Sequence, residues 1–150
     1  MSLKQQLHDD LTTALKARDE VRTATLRMAL AAITNEEVAG KQARELTDDD
    51  VVTVLTREAK KRREAAEAFD QGGRVELADR ERAEGVVLAE YLPAQLTDEE
   101  LATLVTAAIA ESGADTAKGM GQVMKVVNPK VAGRAEGGRI AAEVRRQLGG

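Results

Sequence analysis

The chain has 150 residues, enough for one ordinary domain or two small ones. Its 22 basic and 26 acidic residues give a net charge of −4, which excludes a general nucleic-acid coat protein, because such proteins are basic overall. The absence of cysteine excludes a disulfide framework and thiolate chemistry. No apolar run has the length of a signal or membrane segment, so we expect a cytoplasmic protein without a membrane partner.

Aromatic residues are nearly absent, since the sequence contains only Phe69 and Tyr91. Readers of single-stranded RNA stack bases on aromatic side chains, and this chain cannot form such a platform. Any contact with RNA is therefore expected to use shape and phosphates. The core must consist of aliphatic residues, which suits packed helices.

The first two predicted helices show apolar residues at helical spacing. A leucine at every fourth position from Leu3 to Leu15 predicts the first helix. Asp19 is expected to cap a second helix, and Gly40 is expected to end it as a left-handed cap residue.

The next two predicted helices complete the N-terminal part. Thr47 and Asp50 have the spacing of a capping box, which predicts a third helix over about 48–69. A fourth helix is expected to reach Tyr91. It contains Gly85, and because a glycine inside a helix costs roughly 1 kcal/mol relative to alanine, we expect this glycine to mark a close helix crossing.

The peptide Leu92-Pro93 is the predicted domain boundary, because proline disfavours a helical conformation in the residue before it. Residues 1–92 are expected to form a bundle of about four helices. Residues 93–150 are expected to form a small module of three helices, so the predicted fold class is all-α.

Three helices are predicted in this C-terminal module. Thr97 and Glu100 form a full capping box at the start of the fifth helix. Asp115 or Thr116 is expected to cap the sixth, and Asn128-Pro129 is expected to end it. A seventh helix follows with apolar residues at helical spacing.

Basic residues are concentrated near the C-terminus. Seven basic and three acidic residues between positions 113 and 150 give +4, so positions 1–112 carry about −8. We predict a phosphate-binding patch there. Its candidate residues are Lys118, Lys125, Lys130, Arg134 and Arg139. Lys130 and Arg134 are expected in the connector between the last two helices, and the alternative is a loop that charge merely keeps soluble.

A second basic run extends from Arg57 to Arg63. Glu58, Glu64 and Glu67 lie among its cations at spacings of three and four, which favours a self-paired, solvated helix face. The alternative is a secondary phosphate contact. The sequence shows no nucleophile with a base and an oxyanion donor, and the lone His8 indicates no metal site, so we expect no catalytic residue, cofactor or metal.

Several segments together resemble the YqeY family. The C-terminal signature of that family matches residues 121–124, then Pro129-Lys130, then residues 133–137. In the same order, further matches are residues 26–28 with 35–37, residues 57–63 with 67–69, and residues 91–96. The same domain forms the tail of the B subunit of the glutamine-dependent aspartyl/glutamyl-tRNA amidotransferase. Glu136 stands where the family usually has Asp, which leaves open whether Glu136 or Gly137 serves the start of the last helix.

The resemblance implies a freestanding relative of that tail, a non-catalytic accessory protein that binds tRNA or works with an aminoacyl-tRNA or amidotransferase enzyme. The amidotransferase is a carbon–nitrogen ligase that uses glutamine as amido donor, but we expect no such reaction from this chain alone. One alternative is a helical adaptor that docks on an acidic protein partner. Another is a small-molecule enzyme with its site between the two domains.

Overall fold

The computed structural model describes residues 1–131 and 133–149, and every regular element in these two ranges is helical. The predicted all-α class is therefore confirmed. The chain divides into two compact units, Met1–Leu92 and Pro93–Gly150. Within the described ranges, no helix is long and apolar enough to cross a membrane.

The helices follow one another with short connections. The first unit contains α1 (Leu3–Ala17), α2 (Glu20–Glu37), α3 (Asp48–Gln71) and α4 (Val75–Ala89). The second unit contains α5 (Asp98–Ser112), a short 3₁₀ helix (Ala117–Gly119), α6 (Met120–Val131) and α7 (Gly137–Leu148).

Side-chain caps start four of these helices. Ser2, Thr47 and Thr97 each accept a hydrogen bond from the backbone N–H three residues later and form capping boxes. Asp19 accepts from the backbone N–H of Arg22 at the start of α2. The predicted caps of α2, α3 and α5 are thus confirmed. Each cap stabilises its helix because it accepts a hydrogen bond from an amide that has no partner within the helix.

The core of the first unit is aliphatic. Leu7, Leu26, Ile33 and Leu55 are fully buried among α1, α2 and α3. The leucine spacing on α1 overstates its buried face, since Leu15 is 46% exposed. Four residues turn an α-helix about 40° further than one full turn, so a stripe at this spacing drifts away from the core.

The second unit has a separate core of valines. α5, α6 and α7 each contact the other two helices. Val105, Val123, Val127 and Val144 are fully buried where these helices meet.

Two predicted helix ends are wrong. α2 ends at Glu37 with Val38 as its cap residue, so Gly40 does not serve as a left-handed cap. α6 continues through Pro129 to Val131. Proline removes one helical hydrogen bond, but continuing the helix places Val131 on the buried face, and its side chain is 1% exposed.

Gly85 lies where α4 approaches α3. A Cβ atom at this position would be 4.0 Å from the Cβ atom of Arg62, which is ordinary contact distance. The helices are therefore close at this glycine, as predicted, although an alanine would fit.

Candidate nucleic-acid interface

The second unit is electrically balanced. Residues 93–150 contain seven basic and seven acidic residues. Four of these acids belong to α5, which packs against both α6 and α7: Asp98, Glu99, Glu100 and Glu111. The net charge of +4 that the sequence shows after position 112 therefore has counterions on α5.

Arg139 near the start of α7 is one of the cations held in this way. Its half-buried guanidinium donates to the carbonyl oxygen of Leu96 at 3.0 Å and to Asp98 at 2.9 Å. The side chain thus fastens α7 to the backbone before α5. A ligand phosphate would have to compete with both of these acceptors.

Arg134 has a similar role in the connector between α6 and α7. Its Nε atom donates to the carbonyl oxygen of Ala94 at 3.0 Å, and its guanidinium lies 4.0 Å from Glu100. The carbonyl oxygen of Arg134 accepts from the backbone N–H of Leu96 at 2.8 Å. Gly133 has a φ of 79°, a left-handed conformation that glycine adopts without strain, so the chain can turn here.

Lys130 lies in the last turn of α6, so its predicted place in the connector is wrong. Its ammonium contacts Glu111 of α5 at 2.5 Å. Both side chains are partly exposed, and pairs of this kind contribute only about 0–1 kcal/mol. Lys130 can therefore exchange Glu111 for a phosphate more readily than the two arginines can exchange their acceptors.

Lys118 and Lys125 differ from the other three candidates. Both side chains are exposed, and neither makes a hydrogen bond or ion pair within residues 1–131 and 133–149. Both line one surface depression of about 520 Å³. Thr116 and Gln122 contribute further polar side chains to the same depression.

Three glycines line this depression, so part of its surface is backbone without side chains. Packing requires a glycine at position 119. A Cβ atom at position 119 would lie 2.5 Å from the Cβ atom of Ala114, which is closer than carbon atoms can approach. A Cβ atom on Gly121 would meet nothing within 4 Å. The bend from Ala114 into α6 therefore depends on Gly119.

Two carboxylates of this unit, Glu100 and Glu143, have a lowered pKa and are held in their charged form. The backbone N–H and hydroxyl of Thr97, with Arg134 nearby, lower the pKa of Glu100. A hydrogen bond from Arg146 lowers the pKa of Glu143. These acids compete with any phosphate for the neighbouring arginines at neutral pH.

The start of α7 lacks a side-chain cap. Glu136 is the N-cap residue, but its side chain makes no capping hydrogen bond. Gly137 is the first residue of the helix. The glutamate side chain is too long to accept a hydrogen bond from the first amides of its own helix, whereas an aspartate at this position could do so.

The basic run on α3 is mostly neutralised by its own unit. Arg57 lies 3.5 Å from Glu36, and Lys60 lies 4.0 Å from Glu64. Glu58 receives contacts from two further cations of the run. This arrangement agrees with the prediction of a self-paired helix face. No group of acids or histidines suited to a metal ion occurs in the described ranges.

Sequence reasoning missed the acceptors on α5, and also Thr116 in the depression, whereas the helical spacing of Lys118, Gln122 and Lys125 already predicted one shared face. A signal for the acceptors was present, since the basic and acidic residues are equal in number over residues 93–150. The place of Thr116 had no such signal, because it depends on the turn at Gly119.

Fold and site together define a small all-helical protein with a glycine-rich, lysine-bearing depression in its second unit. The family model of Yqey-like proteins matches residues 4–148, so the chain belongs to the YqeY family.

Two curated relatives are similar to this chain. An uncharacterised protein of Schizosaccharomyces pombe is 32% identical over 93 residues, which cover 61% of this chain and 73% of the relative. "Altered inheritance of mitochondria protein 41, mitochondrial" of Clavispora lusitaniae is 28% identical over 134 residues, which cover 87% of this chain and 77% of the relative.

Proposed function

We propose that this chain is a non-catalytic accessory protein that contacts the backbone phosphates of tRNA through its second unit. The observation that supports this most is the pair Lys118 and Lys125, two exposed cations without an internal partner at one depression. The tRNA assignment itself comes from the resemblance to the amidotransferase tail.

Unpaired lysines favour phosphate binding for a simple energetic reason. A lysine that is already solvated and unpaired gains a phosphate and releases a counterion without losing an internal contact. Arg134 and Arg139 would first have to leave backbone carbonyl oxygens, which would then lack a donor. We therefore rank Lys118 and Lys125 first, Lys130 second, and Arg134 and Arg139 last.

The contact with tRNA is expected to be independent of base sequence. Both aromatic residues of the chain belong to the first unit, so the second unit has no ring on which a base could stack. Lysine side chains position a protein on the phosphates and carry no sequence information.

Filter binding of tRNA at several salt concentrations tests the proposal. We expect measurable affinity near physiological salt, and the double variant Lys118→Ala, Lys125→Ala should reduce the salt slope by roughly one to two units. The matched control is Lys16→Ala, Lys41→Ala, which removes two exposed lysines of the first unit and should leave the slope unchanged.

Two results would contradict the proposal. One is no affinity of the wild type for tRNA, in which case the adaptor for an acidic protein partner becomes the better account. The other is equal retention of a matched RNA duplex, which would make the contact general for duplex RNA.

We also propose a cytoplasmic location. The name of the relative from Clavispora lusitaniae places that protein in mitochondria. Cell fractionation with an antibody against this chain distinguishes the two compartments, and a mitochondrial signal would overturn the proposal.

A further inference from the structure

A groove of about 660 Å³ lies between α2 and α3 in the first unit. Small-molecule sites usually measure roughly 300 to 1,000 Å³, so the groove has a suitable size. Its lining joins two segments that are distant in sequence, the side of α2 that carries Ala31 and Ala32 and the side of α3 that carries Glu58 and Lys61.

The groove has an apolar part. Met28, Ala31, Ala32 and Val54 supply aliphatic surface. The two alanines leave space beside α2 that larger side chains would fill. An aliphatic group of a ligand could be buried there and would gain roughly 0.8 kcal/mol for each CH₂ group removed from water.

Glu58 is the charged residue that makes this groove unlike an ordinary surface cleft. It is 9% exposed, yet the cations of Lys61 and Arg62 both lie 3.5 Å from its oxygens. Strong hydrogen bonds from a cation to a carboxylate measure about 2.7–2.9 Å. By contrast, Glu37 in the same unit receives the ammonium of Lys4 at 2.9 and 3.0 Å.

Arg62 supplies Glu58 with a single hydrogen bond of 3.5 Å, and its guanidinium also lies near two other carboxylates. Glu81 and Glu84 lie 3.7 and 3.4 Å from its Nε atom, which is buried and has no hydrogen-bond partner. Glu58 therefore retains acceptor capacity at the groove. A buried carboxylate gains from any further donor that reaches it.

Two exposed cations line the same groove as this carboxylate. The side chains of Arg57 and Lys61 are 57% and 65% exposed. The ammonium of Lys61 lies 3.5 Å from Oε1 of Glu58, so opposite charges are adjacent at the groove. An α-amino acid carries an ammonium and a carboxylate on one carbon, which matches such a pair.

We propose that this groove binds a zwitterionic small molecule of the α-amino acid class with an apolar side chain. Its ammonium donates to Glu58, and its carboxylate accepts from Lys61 and Arg57. Its side chain lies against Ala31, Ala32 and Met28. Binding replaces two long ion pairs within the protein, that of Lys61 with Glu58 and that of Arg57 with Glu36, each at 3.5 Å, by three charged contacts with the ligand.

The test uses three probes of similar size on the full chain. L-leucine carries both charges, L-leucinamide lacks the carboxylate, and N-acetyl-L-leucine lacks the ammonium. Titration of ¹⁵N-labelled protein should shift amides of α2 and α3 with a dissociation constant for L-leucine on the order of 1 mM. Each of the other two probes should bind about tenfold more weakly, because each loses one charged contact.

Two variants separate the charged contacts. Glu58→Gln should weaken L-leucine about tenfold and leave N-acetyl-L-leucine unchanged. Lys61→Ala should weaken L-leucine and N-acetyl-L-leucine and leave L-leucinamide unchanged. Lys60→Ala is the matched control, since this lysine pairs with Glu64 and does not line the groove. If Glu58→Gln does not fold, Lys61→Ala alone decides the matter.

The proposal is overturned if L-leucine shifts no groove amide at roughly ten times the expected dissociation constant. Equal affinities of the three probes, or an unchanged pattern in Lys61→Ala, also overturn it. None of these outcomes bears on RNA binding by the second unit, so the two proposals stand or fall separately.

Discussion

Two groups of cations in the second unit show how packing decides which cations are available to a ligand. Lys118, just before α6, and Lys125, in the middle of α6, are exposed and have no partner in the described part of the chain. From the last turn of α6 onward, Lys130, Arg134 and Arg139 contact acids or carbonyl oxygens of their own unit. Both groups look alike in the sequence, so local net charge alone does not show which cations are unpaired.

The difference arises from α5. Three acids in its first turn interact favourably with the positive end of the helix dipole, and one of them, Glu100, also takes part in the capping box. The fold brings this turn to the start of α7, where Asp98 meets Arg139. The depression at the start of α6 includes Asp115 but no residue of this acidic turn. The predictions that follow test this contrast, from the largest expected effect to the smallest.

Replacing Gly119 should be the most damaging change near the unpaired lysines. Gly119→Ala places a Cβ atom 2.5 Å from the Cβ atom of Ala114, so we expect a loss of about 1–3 kcal/mol in the free energy of unfolding. Urea denaturation followed by circular dichroism measures it. Gly121→Ala is the control and should be neutral or stabilising by up to roughly 1 kcal/mol, since its Cβ atom meets nothing. Equal stability of the two variants would refute this account of the bend.

Among the paired cations, Arg139→Ala should lower the free energy of unfolding by about 1–2 kcal/mol, because the carbonyl oxygen of Leu96 loses a charged donor. Asp98→Asn is the comparison and should change stability by less than about 0.5 kcal/mol, because the Asp98 side chain is 98% exposed. Thermal unfolding of both variants distinguishes the contributions. A larger loss in Asp98→Asn would mean that the surface ion pair, and not the carbonyl contact, holds α7.

The capping box of α5 should contribute a smaller amount. Thr97→Ala removes the acceptor for the backbone N–H of Glu100, and such losses cost about 1 kcal/mol. Thr97→Ser keeps an acceptor and should stay close to wild type. Hydrogen exchange of the first α5 amides reports the change directly, and unaltered exchange in Thr97→Ala would show that the cap is dispensable.

Acidification should lower the stability of the second unit through protonation of Glu100. Its pKa lies below the ordinary value of 4.5 because of Thr97 and Arg134. A lowered pKa means that the contribution to stability is fully present above pH 4.5 and is lost as the pH falls through the folded pKa. The Glu100→Gln variant should therefore lose less stability than wild type on acidification below this pH. Glu99→Gln, in the same turn but outside the capping box, should behave like wild type.

Much of the fold was accessible from sequence, because local signals mark helix starts. The Thr97 box and the Asp19 cap are set by residues three positions apart. The errors came where tertiary packing overrides a local rule. Pro129 was expected to end α6, but the burial of Val131 extends the helix past it.

The candidate site was harder to predict from the sequence, because the pairing of its cations depends on residues that are distant in the chain. Lys130 and Glu111 are 19 residues apart, and Arg139 and Asp98 are 41 apart. Sequence could therefore predict that basic residues concentrate near the C-terminus. Helical spacing also places Lys118 and Lys125 on one face, but the sequence could not predict which basic residues α5 neutralises.

The most direct test compares the unpaired and the paired cations of the second unit in one experiment. The salt dependence of tRNA binding is measured for Lys118→Ala, Lys125→Ala and for Lys130→Ala, Arg134→Ala, which remove equal charge. The first variant should lower the salt slope by roughly one to two units, and the second should change it by less than about one unit. A larger loss in the second variant would contradict the claim that unpaired lysines form the phosphate contact.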